Sequence, residues 1–221
     1  MDDGTRITLF HGSSRVVGAP VFGRGNPHND YGPGFYCTQS RDLACEWACP
    51  TPNDGFVNKY VLDAAGLAIA DLGTDEYSLL NWLALLVANR RFKATTPLMA
   101  QAMDFMLAKH LPDLDATDVV CGYRADDSHF SFARAFLDNR ISLTQLERAL
   151  HLGGLGRQVV LRSRASFEAL TFVEAQRVHG SEWHGRRVAR DAQARSNYLA
   201  LAQEPASTID DVFMLDLMRR G

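Results

Sequence analysis

Apolar and polar positions alternate along some segments of the chain and recur at helical spacing along others. The first apolar run, Arg6 to Phe10, is short and rich in β-favouring residues, and it predicts a strand that ends at His11. A loop containing glycine, proline and polar residues continues to Gly34 and is followed by the extended segment FYCT. The next segment, SRDLACEWA, predicts a helix, because its apolar residues recur at helical spacing and Ser40 is a suitable N-cap.

The middle of the chain is dominated by helical patterns. Residues 75–92 have a wide apolar face, and a second helix is predicted to begin near Pro97 with a methionine stripe typical of a core. Before them, FVNKYVLD and LAIADL predict strands; after them, DVVCGYRADD predicts a strand that enters a charged loop. Helices are then predicted near residues 130–139 and 142–152.

The last third of the chain predicts two strands followed by a helical tail. GRQVVLRS and ALTFVEAQ favour strands, and a final helix is predicted from Thr208. The arginines of the basic segment 181–201 either contact an acidic target or nucleic acid, or form a solvated helix face with Glu182 and Asp191. The sequence therefore predicts one α+β domain over residues 1–221, with a helical insert at about 75–112 and a helical tail at about 181–221.

Composition and charge exclude several classes of protein. Hydrophobic residues make up 46% and charged residues 22% of the 221 residues, which is typical of a globular chain. The formal net charge of −3 provides no overall attraction to nucleic acid or to anionic membranes. The apolar runs are too short to span a bilayer, and the N-terminus has no signal-peptide pattern. A cytoplasmic protein without membrane association is expected, although secretion by a specialised machine stays open. The four cysteines lack zinc-site spacing, and no metal is expected.

The common catalytic motifs are missing, and two aromatic residues stand out instead. The chain contains no GxGxxG after a strand, no GxxxxGK[ST], no HExxH and no GxSxG. Tyr36 follows the glycine-rich segment 32–34, and Trp47 comes eleven residues later on the predicted helix. These rings either form a slot for a planar ligand or belong to the core. In a slot, a ligand with a cationic ring would bind more strongly through cation–π attraction.

Three segments stand out together: LFHGS, GPGFYCTQSRDLACEWA and GRQVVLRS. In this order they resemble the ADP-ribosyltransferase superfamily of the diphtheria-toxin and poly-ADP-ribose-polymerase type. The family has a strand ending in His-Gly, a Gly-x-Tyr with a second aromatic eleven residues on, and a strand opening with glutamate. The chain also resembles a bacterial branch, the His-Tyr-Gln variant, through the motifs at 11–13, 34–48, 118–127, Gln158 and 190–198.

The resemblance implies an ADP-ribosyltransferase-like split β-sheet core with an inserted helical region, and it implies NAD as a substrate. His11 would bind the adenosine ribose, the Gly12 backbone would hold the nicotinamide amide, and Tyr36 and Trp47 would enclose the nicotinamide ring. Catalytic residues expected on this basis are His11, Tyr36, Gln158, Asp126 and Asp127. The NAD-binding residues expected are His11, Gly12, Ser13, Arg24, Gly34, Tyr36, Thr38 and Trp47.

Two departures from the family pattern affect the expected chemistry. Gln158 stands where the best-known members have glutamate, so it accepts a hydrogen bond but carries no charge. Ala44 replaces a serine that binds the nicotinamide amide in the eukaryotic polymerases, and Ser13 or Thr38 is the expected substitute. Asp126 and Asp127 either supply the missing negative charge, or activate an acceptor, or simply cap the following helix.

The function implied is NAD-dependent transfer of a single ADP-ribose to an unknown protein or nucleic-acid acceptor. Relatives of the bacterial branch look like toxins or effectors, so an antitoxin partner is expected by analogy alone. An NAD glycohydrolase and an inactive module that binds NAD or ADP-ribose are the alternatives.

Overall fold

The computed structural model describes residues 5–125, 127–152, 156–204 and 211–221, with the backbone alone at 127–129. Within these ranges the chain forms seven strands and eight helices. The strands are β1 (Arg6–Ser13), β2 (Phe35–Cys37), β3 (Gly55–Asp63), β4 (Ile69–Asp71), β5 (Val119–Tyr123), β6 (Arg157–Leu161) and β7 (Leu170–Val178). The helices are α1 (Arg41–Ala48), α2 (Leu79–Asn89), α3 (Pro97–His110), α4 (Asp127–Leu137), α5 (Leu143–Leu150), α6 (Arg164–Glu168), α7 (Gly180–Gln203) and α8 (Met214–Arg220).

The strands form two sheets, which confirms a mixed α+β architecture. The first sheet has the order β1-β3-β7 and is antiparallel throughout. The second has the order β2-β6-β5-β4, in which β4 and β5 are parallel. Parallel neighbours require a long crossover, and here α2 and α3 supply it. The predicted helical insert therefore lies between two adjacent strands of the second sheet.

The two sheets meet where β1 and β2 pass each other. Phe10 and Thr38 form an isolated antiparallel bridge, with N–H to O distances of 2.7 and 2.9 Å. Around this junction six buried side chains from both sheets form a common core: Leu9, Cys37, Leu62, Val119, Val159 and Leu161. This arrangement places the end of β1, with His11, directly beside Tyr36 of β2.

The helix α1 packs tightly onto the first sheet. Ser40 caps it by accepting a hydrogen bond from the backbone N–H of Leu43, as the sequence predicts. Gly12 lies against the helix backbone, and a Cβ there would overlap the carbonyl oxygen of Ala44 and stand 2.6 Å from Ala48 N. Glycine at this position therefore sets how closely α1 approaches β1, and with it the position of Trp47.

The larger core lies between the second sheet and the helices. The apolar face of α2 and Met99 and Met106 of α3 are buried in it, and Met103 is partly buried against it, so the methionine stripe is a core feature, as predicted. The basic face of α7 includes two ion pairs that the sequence predicts, Arg186 with Glu182 and Arg195 with Asp191, at 2.8 and 2.9 Å.

A few boundaries differ from the sequence-based expectations. The first helix of the insert begins at Leu79 rather than at residue 75, with Ser78 at its N-cap. The last helix begins at Met214, whereas the predicted start, Thr208, lies outside the described residues. The short α6 has no counterpart in the prediction, because its few residues show no helical period.

The close approach of α1 and β1 gives the first prediction. The substitution Gly12→Ala should lower the free energy of unfolding by about 1–3 kcal/mol. The added methyl group would overlap backbone atoms of α1, which cannot rotate away as a side chain could. Gly18→Ala is the matched control, since a Cβ at Gly18 has no heavy atom within 4 Å. Urea unfolding measures both, and equal stability of the two variants would refute the close contact.

Candidate functional site

Tyr36 is held rigidly by the loop that precedes it. Its hydroxyl donates a hydrogen bond to the carbonyl oxygen of Gly32 at 2.7 Å and accepts one from the backbone N–H of Tyr31 at 3.0 Å. Burial raises the pKa of the Tyr36 phenol, so the neutral hydroxyl persists as a donor. Gly32 has φ of +75°, a conformation that favours glycine. The glycine-rich segment thus folds back on Tyr36 and fixes the plane of its ring.

Tyr31 anchors the same loop to the second sheet. Its buried hydroxyl donates to the carbonyl oxygen of Tyr123 at 2.6 Å, and Trp82 Nε1 donates to that oxygen at 3.2 Å. A Cβ at Gly122 would overlap the Tyr31 hydroxyl, so glycine at this position of β5 leaves the space that the Tyr31 side chain occupies. The anchor positions Asp30, the residue before it, above the second sheet.

His11 lies next to Tyr36 and is fixed by the β2 backbone. Its Nδ1 lies 2.7 Å from the carbonyl oxygen of Tyr36, and a carbonyl only accepts, so Nδ1 carries the proton. Its ring contacts Phe35 with centroids 4.5 Å apart. Burial lowers the pKa of His11, which favours the neutral ring, and Nε2 is then a hydrogen-bond acceptor.

A cavity of about 220 Å³ opens beside Tyr36. Its lining comes from the loop after β1, from β2, from α1, from the residue after α2, from the residues after β5 and from β6: Asn29, Asp30, Tyr36, Trp47, Arg90, Arg124, Ala125 and Gln158. Three of these, Tyr36, Trp47 and Gln158, are residues that the sequence singles out. The fold therefore brings Gln158 together with Tyr36 and Trp47, two predicted residues that lie far from it along the chain.

Asp30 is the main residue of the cavity that sequence reasoning misses. It is 4% exposed, and its Oδ2 accepts hydrogen bonds from Ala125 N at 2.9 Å and from Gln158 Nε2 at 3.0 Å. Its Oδ1 lies 3.5 Å from Arg90 Nη1. Burial raises the pKa of Asp30, while the bond from Ala125 and the charge of Arg90 oppose that rise. An aspartate in a polar loop has no periodic signal, so the sequence alone does not distinguish it from a turn residue.

Three buried polar atoms at the cavity have no hydrogen-bond partner within the described part of the chain. They are Asp30 Oδ1, Trp47 Nε1 and Gln158 Oε1. Leaving a buried donor or acceptor unpaired costs about 1–3 kcal/mol each. Two acceptors and one donor, carried by side chains that line one cavity, match the hydroxyl and amide groups of a polar ligand in type.

Arginines provide the positive charge of the cavity wall. The guanidinium of Arg124 lies over the indole of Trp47, with 5.0 Å from Cζ to the ring centroid. Arg90 follows the last residue of α2 and lies beside Asp30. The Trp47 ring thus already engages a planar cation through its face.

The remaining predicted residues lie outside the cavity wall. Ser13 Oγ donates to the carbonyl of Arg15 at 2.6 Å and accepts from Asn58 Nδ2 at 3.0 Å. Thr38 is buried, and its Oγ1 accepts from Ser40 N at 3.2 Å.

Glycines 12 and 34 pack against backbone, and Arg24 is exposed in the loop. The predicted Asp126 lies outside the described residues, and Asp127 is the first residue of α4.

Over the described ranges, no three histidine, cysteine, aspartate or glutamate side chains are grouped so that they could hold a metal ion. No helix in those ranges has the length and apolar character needed to cross a bilayer.

A family model described as "Protein of unknown function (DUF3990)" matches residues 7–172, which is most of the chain. The protein therefore belongs to the DUF3990 family. The matched range contains every residue of the cavity wall. No curated protein and no solved structure is significantly similar to the chain.

The burial of His11 gives the second prediction. Its folded-state pKa lies below the unfolded value of 6.5, so the unfolded chain binds the proton more tightly. Stability is then fully present above about pH 6.5 and is lost as the pH falls toward the lowered pKa. His11→Gln should remove this loss, because glutamine does not titrate.

Urea unfolding at pH 7.5 and 5.5 measures how much stability each variant loses on acidification. His28→Gln, at an exposed histidine of the same loop, is the control and should keep the wild-type acid sensitivity. Equal acid sensitivity of the His11→Gln variant and the wild type would show that His11 protonates without cost.

Proposed function

We propose that this DUF3990-family protein binds NAD in the cavity beside Tyr36 and acts as a mono-ADP-ribosyltransferase. The observation that carries the proposal is the convergence of Tyr36, Trp47 and Gln158 on one cavity with unpaired polar atoms. These are the residues to which the family resemblance assigns the nicotinamide and its ribose. A split-sheet core of the ADP-ribosyltransferase type is part of the same proposal, supported by two sheets that meet at the strands of His11 and Tyr36.

The size of the cavity suits the reactive half of a dinucleotide. Drug-sized ligands occupy pockets of about 300–1,000 Å³. A cavity of about 220 Å³ is smaller, so it accommodates a nicotinamide and its ribose rather than the whole of NAD. The adenosine half would lie outside, toward His11, whose Nε2 is an acceptor for a ribose hydroxyl.

The aromatic and cationic residues fit the remaining groups of NAD. The Tyr36 ring is fixed in plane, and the Trp47 face already attracts a planar cation, the charge type of the oxidised nicotinamide ring. Arg90 and Arg124 at the wall are suited to the diphosphate, because a guanidinium binds phosphate oxygens in pairs. Trp47 Nε1 supplies a donor for the carboxamide oxygen.

Gln158 would act on the ribose attached to nicotinamide. Its unpaired Oε1 accepts a hydrogen bond from a ribose hydroxyl and holds C1′ in place. In the reaction the bond between C1′ and the nicotinamide nitrogen breaks, and its electron pair leaves with neutral nicotinamide. The acceptor nucleophile forms the new bond to C1′ and releases its proton to solvent.

Product analysis with NAD tests the proposal and separates its alternatives. Purified protein is incubated with NAD labelled in the adenosine half, with and without a cell lysate as the source of acceptor. A transferase releases nicotinamide and labels macromolecules, whereas a glycohydrolase releases nicotinamide and free ADP-ribose. An inactive module, the alternative that the uncharged Gln158 favours, binds NAD in calorimetry without releasing nicotinamide. Absence of both binding and turnover would refute the proposal.

The third prediction compares two buried glutamines. Gln158→Ala should reduce nicotinamide release about 100-fold, as expected when one positioned polar group is removed from a reaction centre. Gln145→Ala is the matched control, because Gln145 is equally buried but completes the capping box of α5, and its loss should cost about 1 kcal/mol of stability. Its turnover per folded molecule should equal that of the wild type. Equal turnover in both variants would place the reaction elsewhere.

A further inference from the structure

Asp30 is built into the cavity by contacts from three separate elements. Ala125 N from the loop after β5 and Gln158 Nε2 from β6 both donate to its Oδ2, at 2.9 and 3.0 Å. The guanidinium of Arg90, after α2, lies 3.5 Å from its Oδ1. Only 4% of the residue is exposed, so its position is set by the protein and not by solvent. The Oδ1 atom, which has no hydrogen-bond partner among the described residues, belongs to a side chain that lines the cavity.

This contact fixes the orientation of the Gln158 amide. An ionised carboxylate only accepts hydrogen bonds, so the Gln158 atom that faces Oδ2 of Asp30 is the donor Nε2. The amide oxygen then points away from Asp30, and it is the buried Oε1 without a partner. Asp30 therefore determines which end of the amide is available to a ligand.

The pair also combines the two properties that a single glutamate would have. A glutamate at position 158 would offer both an acceptor for a ribose hydroxyl and a negative charge beside the developing cation. Gln158 offers the acceptor alone, and Asp30, in hydrogen-bond contact with it, adds the carboxylate. Cleavage of an N-glycosidic bond passes through an oxocarbenium-like state, in which positive charge develops on the ribose. A fixed carboxylate that is itself buried stabilises such charge strongly.

We propose that Asp30 is a catalytic residue of this site, which supplies the negative charge for the transition state and orients Gln158 through their shared hydrogen bond. The inference rests on the proposed NAD-cleaving function and assigns the charge to a residue that the family resemblance does not point to. No proton is transferred to or from Asp30 in the step. The electron pair of the broken bond leaves with nicotinamide, and the carboxylate stays ionised throughout.

If Asp30 had only a structural role, its replacement would change stability and activity together. A catalytic role predicts a loss of activity without a loss of stability. The groups that face Asp30 are Arg90, Arg124 and the tyrosines at 31 and 36. Burial raises the pKa of Asp30, so the folded state binds its proton more tightly than the unfolded state, and stability falls as the pH rises through that raised pKa. An asparagine avoids this cost at neutral pH, and its oxygen still accepts from Ala125 and Gln158.

The fourth prediction uses Asp30→Asn in the full-length protein, with Asp54→Asn as the control. Asp54 caps α7 by accepting from Gly180 N at 3.0 Å and does not line the cavity, so its variant has the same change in net charge. For Asp30→Asn, kcat for nicotinamide release should fall about 100-fold. The dissociation constant for NAD should change far less, and stability to urea at pH 7.5 should equal or exceed that of the wild type. Asp54→Asn should keep the wild-type kcat.

The outcomes distinguish this inference from the proposed function. Wild-type kcat in Asp30→Asn, or a loss of activity that matches a loss of folded protein, would overturn the role of Asp30 and leave the NAD-cleaving function intact. A wild-type protein that neither binds NAD nor releases nicotinamide would overturn the proposed function and this inference together. A selective fall in kcat in a stable variant is the supporting result.

Discussion

The contact between β1 and β2 is the constraint on which the rest of the site depends. Two backbone hydrogen bonds between Phe10 and Thr38 join the sheets, and the next residue along β1, His11, binds the carbonyl oxygen of Tyr36. On its other side β2 pairs with β6, so Tyr36 lies next to that strand. Gln158 is the β6 residue directly beyond the paired ones. A shift of one residue in either strand would turn its side chains to the opposite face and separate these groups.

The sequence predicted the parts of the site that local patterns determine. The strand that carries His11, the cap at Ser40 and the helix that carries Trp47 each depend on residues close in sequence, and the structure has all three, although β1 continues past the predicted end at His11 to Ser13. The spacing of Tyr36 and Trp47 predicted that both rings could reach one ligand, and both line the cavity. The two sheets were predictable only as a mixture of strands, because periodicity does not give their pairing.

The carboxylate beside Gln158 could not be predicted in the same way. Asp30 and Gln158 are 128 residues apart, and their contact depends on the Tyr31 anchor, on Gly122 and on the pairing of β5 with β6. None of these has a signature that links it to the others along the chain. Asp126 and Asp127 were better candidates by sequence, because they follow a strand and precede a helix. Tertiary packing brings a loop aspartate, Asp30, into hydrogen-bond contact with the Gln158 amide as well.

The energetics of the cavity connect its stability to its chemistry. The buried carboxylate of Asp30 and the two other unpaired polar atoms lower the free energy of unfolding. Apolar groups of the same shape would not carry this cost. Arg90 and the Ala125 N–H offset part of the cost at Asp30, but they leave its Oδ1 without a hydrogen bond within the described residues. A ligand that donates to these acceptors recovers the lost hydrogen bonds on binding. On the proposal that NAD binds here, the hydroxyls of its nicotinamide riboside group would supply donors to the two acceptors.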